Sequence, residues 1–264
     1  LFLLVYKQFR KFTYKELLED LSDNITLRAY LGLHKLPDYT TIIKFAKRLP
    51  TAIFEKLVAA FSKFIEQPEK VAIDGTGISL DNASPHYCKR IGKSYKKRPF
   101  LKLSVIVEIK HYLILQFKVR KKVRHDVIDA YPMVKKLAKN YKPEVFYGDR
   151  GYDAEKLFKL VFEELDAYPL ILQKRLDVPK HRRKGRYRKE TIDVFDYGEY
   201  LQRNKVETAF SILKRKFGFS IRSKDVKNQK VEAMSRIIAY NIDRMLEAGK
   251  QLILIFIRIT RVSY

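Results

Sequence analysis

The sequence predicts a mixed α/β fold, a five-stranded sheet flanked by helices, preceded by a helical N-terminal segment. Three observations predict it. Residues 1–66 carry helix caps and helix-period apolar spacing. From Val71 onward short apolar runs replace that spacing. Those runs come first as three strands in succession and then alternate with helices, the order of a mixed sheet with helices on both faces.

The N-terminal elements follow from local signals. Leu1 to Phe9 reads as the tail of a helix, and a first residue that is Leu rather than Met leads us to expect that the true start is missing. Thr13 and Glu16 are spaced as a capping box, in which each side chain takes the other residue's free amide. Leu17, Leu18 and Leu21 supply the apolar stripe of the helix that follows. Asn24 opens a second helix and Gly32 ends it. Pro37-Asp38-Tyr39-Thr40 opens a third, which Pro50 stops, and a fourth spans residues 52–66.

The strands begin with Val71-Ala72-Ile73-Asp74, a short buried type. Residues 101–108 and 112–119 form an antiparallel hairpin that turns at His111. A helix over 128–140, a strand over 145–147, a helix over 153–164 capped by Asp153, and a strand over 168–172 complete the series. This order matches the ribonuclease H-like fold. Residues 174–190 hold Lys180-His181-Arg182-Arg183-Lys184-Gly185-Arg186, where like charges repel, so a mobile loop is expected. Phosphate contact through Arg182, Arg183 and Arg186 is its functional reading. A solvated surface loop is the plain one.

Composition narrows the partners. The 264 residues carry 55 Lys and Arg against 30 Asp and Glu, a formal net charge of +25. Such an excess favours polyanions, because binding releases the counterions condensed on phosphate. The hydrophobic share of 46% supplies a sizeable core. Cys88 is the only cysteine, which excludes an internal disulfide and suits a reducing compartment. His86 beside it leaves too few ligands for zinc, so the pair reads as structural. No apolar run reaches the length of a membrane span. The expected location is cytoplasmic, associated with the nucleoid.

Three acidic residues carry the chemistry. Asp74 and Asp149 each end an apolar run, and each is followed by glycines, in Asp74-Gly75-Thr76-Gly77 and Asp149-Arg150-Gly151. Glu207 lies in a helical pattern. Two strand-end aspartates and one helix glutamate make a cage of oxygen ligands suited to a hard divalent cation. On one continuous helix, Tyr200, Arg203, Glu207 and Lys214 would fall within about 60° of one another. An ion pair between Arg203 and Glu207 alone would be an ordinary surface feature. Adding Tyr200 and Lys214 makes a stripe that core packing does not require. Arg150 could reach phosphate or simply lie at the surface. His125-Asp126 either lies near the site or starts a helix.

The spacing Tyr-x2-Arg-x3-Glu-x6-Lys, met at Tyr200, Arg203, Glu207 and Lys214, resembles the signature of prokaryotic insertion-sequence DDE transposases. Ala72-Ile73-Asp74-Gly75-Thr76-Gly77 and Gly148-Asp149-Arg150-Gly151-Tyr152-Asp153 resemble that family's two aspartate segments. Tyr240-Asn241 resembles its final helix, and the stretch from Leu31 to Thr41 resembles its N-terminal helical domain. The likeness covers most of the chain. It implies a DNA-binding or dimerisation domain over 1–66, a ribonuclease H-like catalytic domain over 67–250 and a C-terminal tail over 251–264.

The resemblance also implies a mechanism. Asp74, Asp149 and Glu207 would hold two Mg2+ ions, with Mn2+ able to substitute, about 3.5–4 Å apart. Cleavage at a transposon end would be followed by attack of the freed 3′-hydroxyl on target DNA. Arg203 and Lys214 would contact phosphate near the cut, and Tyr200 would stack on or bond to the terminal nucleotide. A homodimer would hold two ends in a synaptic complex. The stretch before Glu207 is too short for the large β-insertion of some relatives. Two other readings stay open: a nuclease of the same fold that does not join strands, and a DNA-binding remnant without catalysis.

Overall fold

A computed structural model of the chain describes residues 1–80, 90, 100–174, 178–218 and 220–249. The His86 and Cys88 pair, residues 175–177 of the basic segment and the 251–264 tail lie outside the described residues.

Five helices open the chain: α1 (Phe2–Phe9), α2 (Tyr14–Asp23), α3 (Ile25–Tyr30), α4 (Tyr39–Arg48) and α5 (Thr51–Ala60). The capping box forms as expected, with Thr13 N donating to Glu16 at 2.6 Å and Glu16 N donating to the Thr13 hydroxyl at 3.2 Å. Asn24 and Asp38 cap α3 and α4 through their side chains. Gly32 follows α3 in the left-handed region at φ +65°, where a side chain would be strained.

Six strands follow, with α6 (Asp126–Leu137), α7 (Glu155–Leu160), α8 (Arg186–Ile192), α9 (Tyr197–Tyr200), α10 (Lys205–Phe217) and α11 (Val226–Glu247) set among them. The strands are β1 (Lys70–Leu80), β2 (Phe100–Glu108), β3 (Ile114–Arg120), β4 (Val145–Gly148), β5 (Tyr168–Ile171) and β6 (Ser220–Ile221). Their order is β3-β2-β1-β4-β5, with β6 added beside β1. Only β2 runs antiparallel to its neighbours. This is the ribonuclease H-like arrangement. Every residue of β2 after Phe100 is buried, so both faces of the sheet are covered.

Four local expectations are corrected. Among the described residues the sheet has six strands rather than five, because the two-residue β6 pairs with the far end of β1. β1 does not stop at Asp74. Its ladder with β2 continues to Ser79 opposite Phe100 and keeps the glycine-rich stretch extended, so Asp74 lies within the strand. Asp153 does not cap α7, whose N-cap is Ala154. The Asp153 carboxylate is taken by the Lys174 amide at 2.8 Å and by the Arg188 guanidinium at 2.7 Å. The helix carrying Tyr200 and Glu207 is also not continuous. A 3-10 turn over Leu201–Asn204 separates α9 from α10.

The apolar core is one cluster running from Leu4 and Val5 through the sheet to Met245. α11 is its spine, packing against α1, α4, α5 and β3. No helix among the described residues is long and apolar enough to cross a membrane. Asn241, fully buried on α11, ties that spine to the sheet. Its amide nitrogen donates to the Ile114 carbonyl at 2.8 Å and its oxygen accepts from the Ile114 N–H at 3.0 Å. Replacing it leaves two buried backbone groups unpaired. Asn241→Ala should therefore lower stability by about 2–4 kcal/mol, read from urea unfolding.

Candidate functional site

The site is built on the parallel pairing of β1 with β4. Ile73 lies opposite Gly148, so the next residue on each strand, Asp74 and Asp149, emerge side by side. Asp149 starts the 3-10 turn Arg150–Tyr152 and accepts from the Gly151 amide at 2.8 Å. A Cβ at Gly151 would stand 3.0 Å from the Asp149 carboxylate, so a side chain there would press on that group. Asp74 accepts from the Gly75 amide at 2.7 Å.

Glu207 arrives from α10, in the helix's first turn. Two anchors bring this part of the chain to the sheet. Glu199 of α9 pairs with Lys70 of β1 at 2.7 Å and accepts from the Tyr147 hydroxyl of β4. Further along α10, the Lys214 ammonium donates to the Thr76 hydroxyl of β1 at 2.7 Å.

Arg203, in the 3-10 turn, sits between the acids. Its guanidinium is 2.7 Å from Glu207 and 3.5 Å from Asp74. Its Nε is buried with no hydrogen-bond partner among the described residues. Burial pushes the Asp74 carboxyl up to about 6, and the negative charges of Asp149 and Glu207 push the same way against the Gly75 amide and Arg203. Asp74 thus feels the charge of both other acids.

The donor set suits a hard cation in kind, being carboxylates with no sulfur. A divalent ion would also relieve the charge that raises Asp74. The spacing is wider than one ion's shell: among the described residues no three His, Cys, Asp or Glu side chains stand close enough together to hold a metal. Arg203 provides the positive charge between Asp74 and Glu207.

The remaining expected residues divide. Arg150 is exposed and has no ion pair among the described residues, as does Arg182. Arg186 is exposed but pairs with Glu190 at 2.9 Å. Arg183 is a correction. It is buried, donating to the Val178 carbonyl at 2.8 Å and to Gln173 at 3.2 Å, so its guanidinium holds the segment together rather than facing solvent. The segment is correspondingly not a free loop. Glu155 accepts the amides of Tyr187 and Arg188 and so caps α8, with Gly185 at φ +97° leaving room for that carboxylate. Tyr200 is a second correction. Its ring is buried between Phe195 at 5.3 Å and Tyr197 at 5.9 Å, which closes it to base stacking.

The family described as Transposase DDE domain matches residues 65–242, more than half of the sequence. The chain belongs to this family. Transposase domain (DUF772) matches residues 1–48. No curated protein matches the sequence. Among solved structures, the chain is similar to a piggyBac transposase in a synaptic complex with hairpin DNA, with TM-score 0.46 and 11% identity over 94% of this chain and 66% of that one. It is also similar to the catalytic domain of Mos1 mariner transposase, with TM-score 0.29 and 12% identity over 83% of this chain and 98% of that one. The chain thus spans just under two thirds of the length of the piggyBac chain.

For a chain of the DDE transposase family, the residues that motif reading missed are cations and anchors. Lys102, Thr76 and Glu199 carry no local signal, because their roles come from elements far off in sequence. The raised Asp74 carboxyl has a consequence for stability. An acid whose folded pKa is raised costs the fold nothing below its ordinary value of 3.8, and the cost is complete above about 6. Asp74→Asn should therefore stabilise the metal-free protein at pH 8, by up to about 3 kcal/mol. The gain should vanish as pH falls through that window to 4, followed by thermal unfolding in chelator.

Proposed function

We propose that this chain is a DNA transposase that cuts at transposon ends and joins the freed 3′ ends to target DNA. What supports the reading is that Asp74 and Asp149 emerge side by side from β1 and β4, with Arg203 between Asp74 and Glu207, on a strongly basic chain. Asp74, Asp149 and Glu207 are the residues that would hold divalent metal, Mg2+ or Mn2+. Such a metal, when bound, supplies polarisation of the phosphate and activation of the nucleophile.

The chain's own residues account for the rest. Arg203 exchanges its carboxylate partners for a DNA phosphate, a charge-assisted contact its planar fork suits. That exchange frees Asp74 and Glu207. Lys214 and exposed Arg150 add positive charge where the phosphorane builds up negative charge. In the first step, water attacks the phosphodiester, its oxygen bonds to phosphorus, and the 3′-oxygen leaves with a proton. In the second, that 3′-hydroxyl attacks a target phosphodiester in the same way. Both are in-line displacements, so one site serves both. The Tyr200 ring packs against Phe195 and Tyr197 and so supports the turn that carries Arg203 rather than stacking on a base. Residues 1–66 serve in DNA binding or dimerisation, and two copies hold two ends.

The test is strand transfer with a pre-cleaved end. Glu207→Gln should lower joining at least about 100-fold. DNA affinity should stay within about threefold, since it rests on cations. Joining by that variant at the wild-type rate would overturn the assignment, and cleavage without joining by the wild type would leave a nuclease. Replacing both Arg182 and Arg186 by Ala should flatten the salt dependence of DNA binding by about 2 in logarithmic slope. Arg183→Ala should instead lower the melting temperature, because it empties a buried bonding position.

A further inference from the structure

A fourth carboxylate lies between the two aspartate segments. Asp126 begins α6, and its Oδ1 is 3.2 Å from where a Cβ on Gly75 would stand. Its Oδ2 is 3.7 Å from where a Cβ on Gly151 would stand. Gly75 follows Asp74, and Gly151 is the residue whose amide fixes Asp149. Asp126 therefore spans the gap between the strand that carries one site aspartate and the turn that carries the other.

Its charge is balanced from beneath. The Lys102 ammonium on β2, with a side chain only 8% exposed, is 2.7 Å from Asp126 and 3.5 Å from buried Asp129. It also donates to the Arg124 carbonyl at 2.6 Å, which fixes the approach to α6. Asp129 is paired in turn with Arg120. Two acids and two bases thus alternate, and the row is neutral as a whole.

A second observation points at the same spot from the other side. The Tyr152 hydroxyl is buried and has no hydrogen-bond partner among the described residues. The charges of Asp74, Asp126, Asp149 and Asp129 all act on it. Beside Gly75, the Ser104 hydroxyl is also buried without a partner. Unpaired donors facing a group of acids are costly to leave so. A purely structural ion pair between Lys102 and Asp126 needs neither of them.

We propose that Asp126, held by Lys102, is a positioning residue of this site: it sets the separation of the Asp74 strand and the Asp149 turn and so determines how well the two aspartates bind a divalent cation. The inference rests on the metal-dependent reading given above. Asp126 acts through Asp74 and Asp149. Lys102 prevents its charge from adding to theirs, so the site gains a spacer without more repulsion.

The experiment is calorimetric binding of Mn2+ to the full chain without DNA. Asp126→Asn, which keeps the shape and removes the charge that holds Lys102, should weaken Mn2+ about tenfold, the effect expected of groups that orient ligands. Its melting temperature should stay close to wild type, since Lys102 keeps Asp129. Gly75→Ala, whose Cβ would press on the Asp126 carboxylate, should weaken Mn2+ by displacing that group with no change of charge. In cleavage assays the Asp126→Asn rate should return to the wild-type value at high Mn2+, with KM for DNA unchanged. Wild-type Mn2+ affinity in Asp126→Asn would overturn the proposal, whatever Gly75→Ala does, as would a loss of rate that added metal does not restore. Asp74→Asn is the control that separates the two readings. If it abolishes Mn2+ binding while Asp126→Asn leaves affinity intact, only the positioning role fails. If it leaves binding intact, the metal-dependent reading itself fails.

Discussion

Like charges cannot be gathered in a half-buried cleft unless opposite charges hold them, and that constraint organises this protein. The fold brings four carboxylates, Asp74, Asp126, Asp149 and Glu207, to one end of the β1–β4 junction. Arg203 answers two of them from above, at 2.7 and 3.5 Å, and Lys102 answers a third from below at 2.7 Å. Asp149 is left with a backbone amide. The Asp74 carboxyl is raised first by burial and further by the charges of Asp149 and Glu207. Burying an acid beside two others costs stability, and groups perturbed in this way mark candidate functional sites.

The two cations differ in how firmly they are fixed. Lys102 belongs to a central strand, is nearly fully buried, and has three oxygen partners. Removing it would strand charge in the core, so it is part of the fold. Arg203 sits in a short 3-10 turn between two helices, and its Glu207 partner has a side chain 60% exposed. The shorter of its two carboxylate bonds is to a group that solvent already reaches, so that bond is cheap to exchange. The cation beneath is fixed by burial, and the one above is held from a partly exposed turn.

Much of this was legible in the sequence. Helix caps at Thr13, Asn24 and Asp38 and the hairpin around His111 follow from side chains that bond their own neighbouring backbone, and such signals survive in any tertiary context. The apolar runs ending at Asp74 and Asp149 were equally plain. A five-residue ladder extension beyond Asp74 was not, since Gly75 and Gly77 do not favour a strand until β2 lies alongside. The break between Tyr200 and Glu207 was hidden for a related reason. A 3-10 turn and an α-helix share the same residue preferences, and only the anchoring of Glu199 to Lys70 and Tyr147 separates them.

By itself the sequence determined the sheet's element order and the excess of basic charge, and it singled out three acids as candidates, because periodicity, net charge and motif spacing are properties of the chain alone. Tertiary structure decided which charges are spoken for. Arg183 and Arg182 are neighbours of equal charge, yet one is sealed against Gln173 and Val178 while the other faces solvent. Lys102 is one of 55 basic residues and became a keystone only because β2 and α6 meet over it. Burial and pairing depend on what comes near from distant parts of the chain, and no local pattern carries that.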